Sequence, residues 1–152
     1  MITNNRLDKY FGPSGNTAGV ILIIAGLIMS YYSVSAIVII FIGAYIGFTS
    51  TGTSIDFDLR RIKFNNNIFG IISIGKWMNV EPGMKLGIER SNISWRTYSR
   101  SNRVLNTGQK DYRIFIYDSG GNKIMPLIKT GTKEKAKEEL EELAGKLELE
   151  RK

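Results

Sequence analysis

The chain has 152 residues, 43% of them hydrophobic and 23% charged, with a formal net charge of +7. That length accommodates one domain of ordinary size plus a small addition. Cysteine and histidine are absent, which excludes disulfides, thiolate nucleophiles, zinc-finger sites and the usual neutral-pH general base.

The first 15 residues read as a short polar segment carrying Arg6 and Lys9. Between Lys9 and Asp56 lie 46 successive uncharged residues. As one helix they would reach about 69 Å, more than twice a hydrocarbon core of about 30 Å. Hydrophobicity dips at Ser30-Tyr-Tyr-Ser-Val-Ser35, so the run divides into two predicted spanning helices, 16–32 and 34–51. Together they form a transmembrane hairpin over 16–51, with Tyr31 and Tyr32 in the far interface. Basic residues flank both ends of the hairpin, and the turn has none. This asymmetry predicts a multi-pass protein of the cytoplasmic (inner) membrane with both termini cytoplasmic. Val34-Ser35-Ala36 resembles a signal-peptide cleavage site, but a second apolar span follows at once. A buried core hairpin of a water-soluble protein is the other reading, but helices apolar on every face fit lipid better than a two-sided core. Gly43 and Gly47 form a GxxxG that allows close helix packing, with Gly19 and Gly26 as a matching small face. Packing within the hairpin is preferred over oligomerisation.

Thr49–Ser54 is small and polar, the pattern of a linker leaving a bilayer. Residues 52–152 are predicted to form a cytoplasmic α+β domain, with strands over about 55–130 and a helix over about 132–149. Ile55, Phe57 and Leu59 alternate with charged residues, and the phase slips at Arg60-Arg61, suggesting a bulge. Asn65-Asn66-Asn67 reads as a turn, and Ile68–Val80 as one long strand. Met84, Leu86 and Ile88 share a face. A loop over Ser99–Gln109 leads to the strand Asp111–Asp118, and Ser119-Gly-Gly-Asn122 signals a hairpin. Pro126 marks an edge or bulge position. Ala136, Leu140, Leu143, Ala144 and Leu147 form one stripe of an amphipathic helix capped by Thr132.

This layout, with Ile55-Asp-Phe-Asp-Leu-Arg-Arg after the membrane, Phe69-Gly-Ile and Gly75-Lys-Trp77 in the second strand, and Ile124-Met-Pro-Leu-Ile-Lys-Thr130 before the helix, resembles the bacterial membrane-anchored pleckstrin-homology-like proteins. It is also similar in layout to the chloroplast photosystem I assembly factor with a transmembrane hairpin. The resemblance implies an antiparallel sheet or barrel closed by one C-terminal helix. It also implies a domain that binds lipid headgroups, peptides or other proteins, and it carries over no binding residues.

Chemistry is sparse. Gly70–Lys76 matches the start of a P-loop, but Trp77 replaces the required Ser or Thr and no helix follows. Asn92-Ile-Ser94 is a glycosylation triplet on the predicted cytoplasmic side. Asp56 and Asp58 share a strand face without further carboxylates, so neither a metal site nor a cofactor is predicted. The expectation is that the protein is not an enzyme. Charge is more informative: Leu59–Arg113 contains eleven basic and three acidic residues, whereas Lys133–Lys152 is nearly balanced. The densest acid-free stretch gives Arg96, Arg100, Arg103 and Lys110 as candidate contacts to a partner or anionic lipid. Two functional readings follow. One is an assembly factor or accessory subunit whose domain positions a protein partner or a second copy. The other is recognition of anionic headgroups through the basic sheet face and the 96–110 loop. Trp95 and Tyr98 interleave with Arg96 and Arg100, which leaves nucleic-acid binding as a minor third reading.

Overall fold

The computed structural model describes residues 1–98 and 104–151, with side chains outside 93–109. In chain order the elements are β1 (Ile2–Lys9), α1 (Gly12–Ser30), a 3-10 turn (Val34–Ala36), α2 (Ile37–Phe48), β2 (Ser50–Asp56), β3 (Arg61–Ile68), β4 (Ile72–Ile74) and β5 (Trp77–Asn79). Then come β6 (Lys85–Tyr98), β7 (Val104–Tyr117), β8 (Lys123–Thr130), α3 (Lys133–Leu147) and β9 (Glu150–Arg151). The strands form two sheets, one ordered β1-β2-β3-β4 with β5 also on β3, the other β8-β7-β6-β9. Among the described residues this is a pair of open sheets and not a closed barrel.

The chain divides into two compact units that interleave in sequence. The first comprises Met1–Leu7, Thr53–Phe64 and Lys76–Lys152, and the second Asp8–Gly52 and Asn65–Gly75. In sequence the helical unit is therefore an insertion into the strand-rich one.

In the strand-rich unit the core joins Ile55, Ile62, Leu86, Ile114, Ile116 and Leu127 to Leu140, Leu143 and Leu147 of α3. α3 forms because its apolar residues recur on one face while Lys and Glu fill the other. Thr132 accepts a hydrogen bond from the Lys135 amide at 3.4 Å, capping the first turn. At the far end Glu148 takes a left-handed conformation (φ 52°), and the Leu149 amide donates back to the Ala144 carbonyl, a Schellman closure. β6 and β7 pair over their full length, from Lys85↔Tyr117 to Tyr98↔Val104. β8 is an edge strand with a register shift beside Pro126, where a missing amide does least harm.

Several local readings change. Residues 1–15 are not a plain segment: β1 holds Leu7 in a buried position, and Asn4 accepts a hydrogen bond from the Ser54 hydroxyl at 2.6 Å. The polar stretch after the hairpin is not a linker. It is β2, with Thr53, Ser54 and Ile55 all buried, and the Thr53 hydroxyl donates to the Pro126 carbonyl at 2.8 Å. The phase slip at Arg60-Arg61 is a turn between β2 and β3. Asp56 accepts from the Leu59 amide there, and Arg60 has φ 46°. Asn65-Asn66-Asn67 continues β3, because the Asn65 amide donates to the Ser73 hydroxyl across the hairpin at 2.6 Å. The true turn is at Phe69-Gly70, both at positive φ, which leaves Ile68 in β3, and the rest of the expected 68–80 strand is interrupted again at Gly75-Lys76 into β4 and β5. The expected 99–109 loop is shorter, since β7 already begins at Val104.

Candidate functional site

In the second unit the helices form an antiparallel hairpin whose contact seam is glycine. A Cβ on Gly19 would lie 2.4 Å from the Gly47 backbone nitrogen and 2.7 Å from the Gly43 carbonyl oxygen. One on Gly43 would lie 2.7 Å from the Gly19 carbonyl oxygen. Gly26 meets Ile40 and Ala36 in the same way. Only hydrogen side chains permit such an approach, which satisfies helix packing by backbone contact. Gly43 and Gly47 thus meet Gly19 within the hairpin. On the outside the helices present Ile21, Ile24, Leu27, Ile28, Val38 and Phe41, all exposed. The hydroxyls of Thr17, Ser30 and Thr49 donate to carbonyls three or four residues earlier, so none projects a free donor.

Aromatic rings gather at the two ends. Tyr31 and Tyr32 stack edge to face at the turn, with centroids 5.2 Å apart. At the other end Tyr10, Phe11, Tyr45 and Phe69 form a continuous edge-to-face chain, with successive centroids 5.2, 5.7 and 5.8 Å apart. α1 is the one described helix long and apolar enough to cross a membrane by length and composition; Val34–Phe48 is apolar but shorter.

In the strand-rich unit many of the sheet's basic side chains are already neutralised. Arg113 and Asp111, two apart on β7, form a two-pronged pair at 3.1 and 3.0 Å, and Lys129 of β8 adds a third contact at 3.1 Å. Asp111 and Arg113 are both buried. Burial works to raise the Asp111 pKa, but hydrogen bonds and charge from Arg113 and Lys129 outweigh it and hold the carboxyl below its ordinary value. Glu89 accepts from the Tyr117 hydroxyl at 2.6 Å and pairs with Lys123. Burial, and the carboxylate beside it, push the Tyr117 phenol up to about 12. Arg60 pairs with Glu148, Lys85 with Glu150, and Arg61 with the buried Asp56 at 3.0 Å. Arg61 also lies 4.6 Å over the Trp77 ring, with Lys63 at 5.2 Å, a basic–aromatic cluster on β3 and β5. Asp56, Glu89 and Asp111 are thus each held by a cation, and these pairs tie neighbouring strands and turns of the sheet together.

Of the four candidate contacts, Arg100 and Arg103 lie outside the described residues, as does the side chain of Arg96, whose backbone pairs with Asn106. Lys110 is exposed on β7 opposite Asn92. From Ser91↔Asp111 outward, β6 and β7 pair only with each other among the described residues, because β8 stops at Tyr112 and β9 at Leu86. Asp58 pairs with the N-terminal amine, so Asp56 and Asp58 do not converge. Among the described residues no group of three or more His, Cys, Asp or Glu is placed to hold a metal. A cavity of about 70 Å³ lies between α3 and the strands, floored by Ile55, Phe57 and Ile128 and edged by Asn5, Glu139 and Glu142. It is several times smaller than an ordinary ligand pocket. Sequence reasoning missed the Asp111–Arg113–Lys129 and Glu89–Tyr117–Lys123 groups, which depend on cross-strand register. Comparison with protein-family models, curated proteins and solved structures finds no match for this chain.

Proposed function

We propose that α1 and α2 anchor the chain in a membrane with both ends on the cytoplasmic face, and that the strand-rich unit is a non-catalytic, pleckstrin-homology-like module that holds a protein partner at that membrane. The supporting observation is the inverted burial of the hairpin, with glycine inside and Ile, Leu, Val and Phe outside. In water so large an apolar exterior would demand a cover; lipid supplies one. α1 is about 28 Å long at 1.5 Å per residue, close to a hydrocarbon core. Aromatic clusters at both ends match the preference of such rings for the interfaces.

The partner reading is supported by the outer half of the β6–β7 hairpin, a two-stranded ribbon whose open edges suit strand addition or groove binding. Neutralisation of Arg60, Arg61, Lys85 and Arg113 by carboxylates weakens the headgroup alternative, while the Arg61–Trp77–Lys63 cluster favours it. The test uses the full chain in native membranes. It should resist alkaline carbonate extraction, and a photo-cross-linker at Lys110 should give a defined protein adduct that one at Lys137 on α3 does not. Adducts to lipid alone would favour headgroup recognition, and release by carbonate would remove the anchoring reading.

A further inference from the structure

Within the helical unit, the β3–β4 hairpin leaves its isoleucines open. The register Asn66↔Ile74, Asn67↔Ser73 and Ile68↔Ile72 puts Ile68, Ile72 and Ile74, with Asn66 at the far end, on one face and Asn65, Asn67 and Ser73 on the other. On the polar face Asn65 is buried, only 4% exposed, and Asn67 is half-buried, while Ser73 is exposed. The apolar face stands open: Ile72 and Ile74 are each 55% exposed, and Ile71 at the tip is 85% exposed. No charged residue occurs between Lys63 and Lys76. The turn also holds Phe69 at φ 55°, a conformation costly for a bulky side chain, and sets its ring 5.8 Å from that of Tyr45. A Cβ on Gly70 would lie 3.5 Å from the Phe48 carbonyl oxygen, so the tip stands against the last turn of α2. α2 itself has 12 residues and reaches only about 18 Å.

We infer that the tip Phe69–Ile74 inserts into the interfacial layer of the same bilayer that holds the hairpin, its isoleucines completing the apolar surface where α2 is too short. The inference rests on the anchoring proposed above. The occupant is lipid at the glycerol level. The tip continues the outward apolar surface of α2 and shares the aromatic chain Tyr10–Phe11–Tyr45–Phe69 that marks that depth. Lys63 and Lys76, flanking the segment in sequence, suit the anionic headgroup zone.

The cysteine-free chain makes the test direct. Single-cysteine full-length variants Ile72→Cys, Ile74→Cys, Phe41→Cys and Lys137→Cys carry an environment-sensitive fluorophore in nanodiscs loaded at one copy each. Spin-labelled lipids, with the label near the glycerol or deep in the acyl chain, report depth, and iodide reports water access. At 72 and 74 the shallow spin label should remove most of the emission and iodide little. At 41 the deep label should dominate, and at 137 iodide alone should quench. Iodide quenching at 72 and 74 equal to that at 137, with 41 still lipid-quenched, overturns the inserted tip and leaves the anchoring intact. Loss of lipid quenching at 41 overturns both. Protection at 72 and 74 that appears only with two copies per disc overturns the lipid assignment in favour of a second chain.

Discussion

Three glycines of the helix seam make unequal demands, and replacing each by alanine separates a packing motif from a packing contact. Gly19→Ala would put a methyl 2.4 Å from the Gly47 nitrogen and 2.6 Å from its Cα, about 1 Å inside ordinary contact, against backbone that has no rotamer to give. Gly43→Ala would press on the Gly19 carbonyl oxygen at 2.7 Å and the Ile23 nitrogen at 2.8 Å. Gly47→Ala meets nothing nearer than 3.6 Å, because its Cβ direction points past Gly19 and not at it. The first two should each lower hairpin stability by about 1–3 kcal/mol, the range for forced overpacking, and the third should stay within about 0.5 kcal/mol of the parent. The two costly changes share one contact, so the double variant should fall short of their sum. Titration from mild detergent into SDS, followed by helicity, measures all four. Equal destabilisation by Gly47→Ala and Gly19→Ala, or a neutral Gly19→Ala, would refute a seam argued from these distances.

Further outcomes concern the strand-rich unit. Asp111→Asn removes the partner of the buried Arg113 and should cost about 3–5 kcal/mol at neutral pH in denaturant unfolding. Because the folded Asp111 carboxyl titrates below its unfolded value near 3.9, its contribution is complete above that pH and disappears as the pH falls through the lower folded value. Asp118, lowered by its hydrogen bonds from Asn122, acts in the same direction, so the variant should retain part of the parent's acid sensitivity. Tyr117 is raised from 10.0 to about 12, so its stabilisation persists below pH 10 and is lost as the pH climbs through 12; phenolate absorbance should show a late-titrating tyrosine that Tyr117→Phe abolishes. Leu147→Ala, at a fully buried site on α3, should cost about 2–5 kcal/mol in the same unfolding measurement. Glu148→Gly relieves a left-handed conformation worth about 1–2 kcal/mol while losing an exposed pair with Arg60 worth about 0–1, so the thermal midpoint should rise.

What could be read directly were the elements whose signal is periodic and local. The α3 stripe, its Thr132 cap and the shared face of Met84, Leu86 and Ile88 follow from side-chain spacing alone. β1 and β2 were illegible for the opposite reason. Asn4, Thr53 and Ser54 are polar yet placed by partners tens of residues away, and a strand buried through hydroxyls carries no hydrophobic period. The triple asparagine failed as a turn because a cross-strand bond to Ser73 outweighed its propensity. Counting cations along Leu59–Arg113 could not show that Arg60, Arg61, Lys85 and Arg113 meet carboxylates, because the fold brings those together. The shared open face of Ile72 and Ile74 depends on the turn at Phe69-Gly70, which an unbroken 68–80 strand would not contain.

The insertion of the helices into the strand-rich unit has a consequence in time. The residues of β1 leave the ribosome before the helices, but β2, its neighbour in the sheet, is made only after both of them. Until then β1 is an unpaired edge, and its pairing closes a loop of some forty residues. Chain entropy alone charges only modestly for such a loop, yet the order of synthesis is imposed: β1 and β2 cannot pair before both helices have been made. Translation that stalls within α2 should therefore leave a product with an open strand edge, the kind of species that quality-control proteases and aggregation both select.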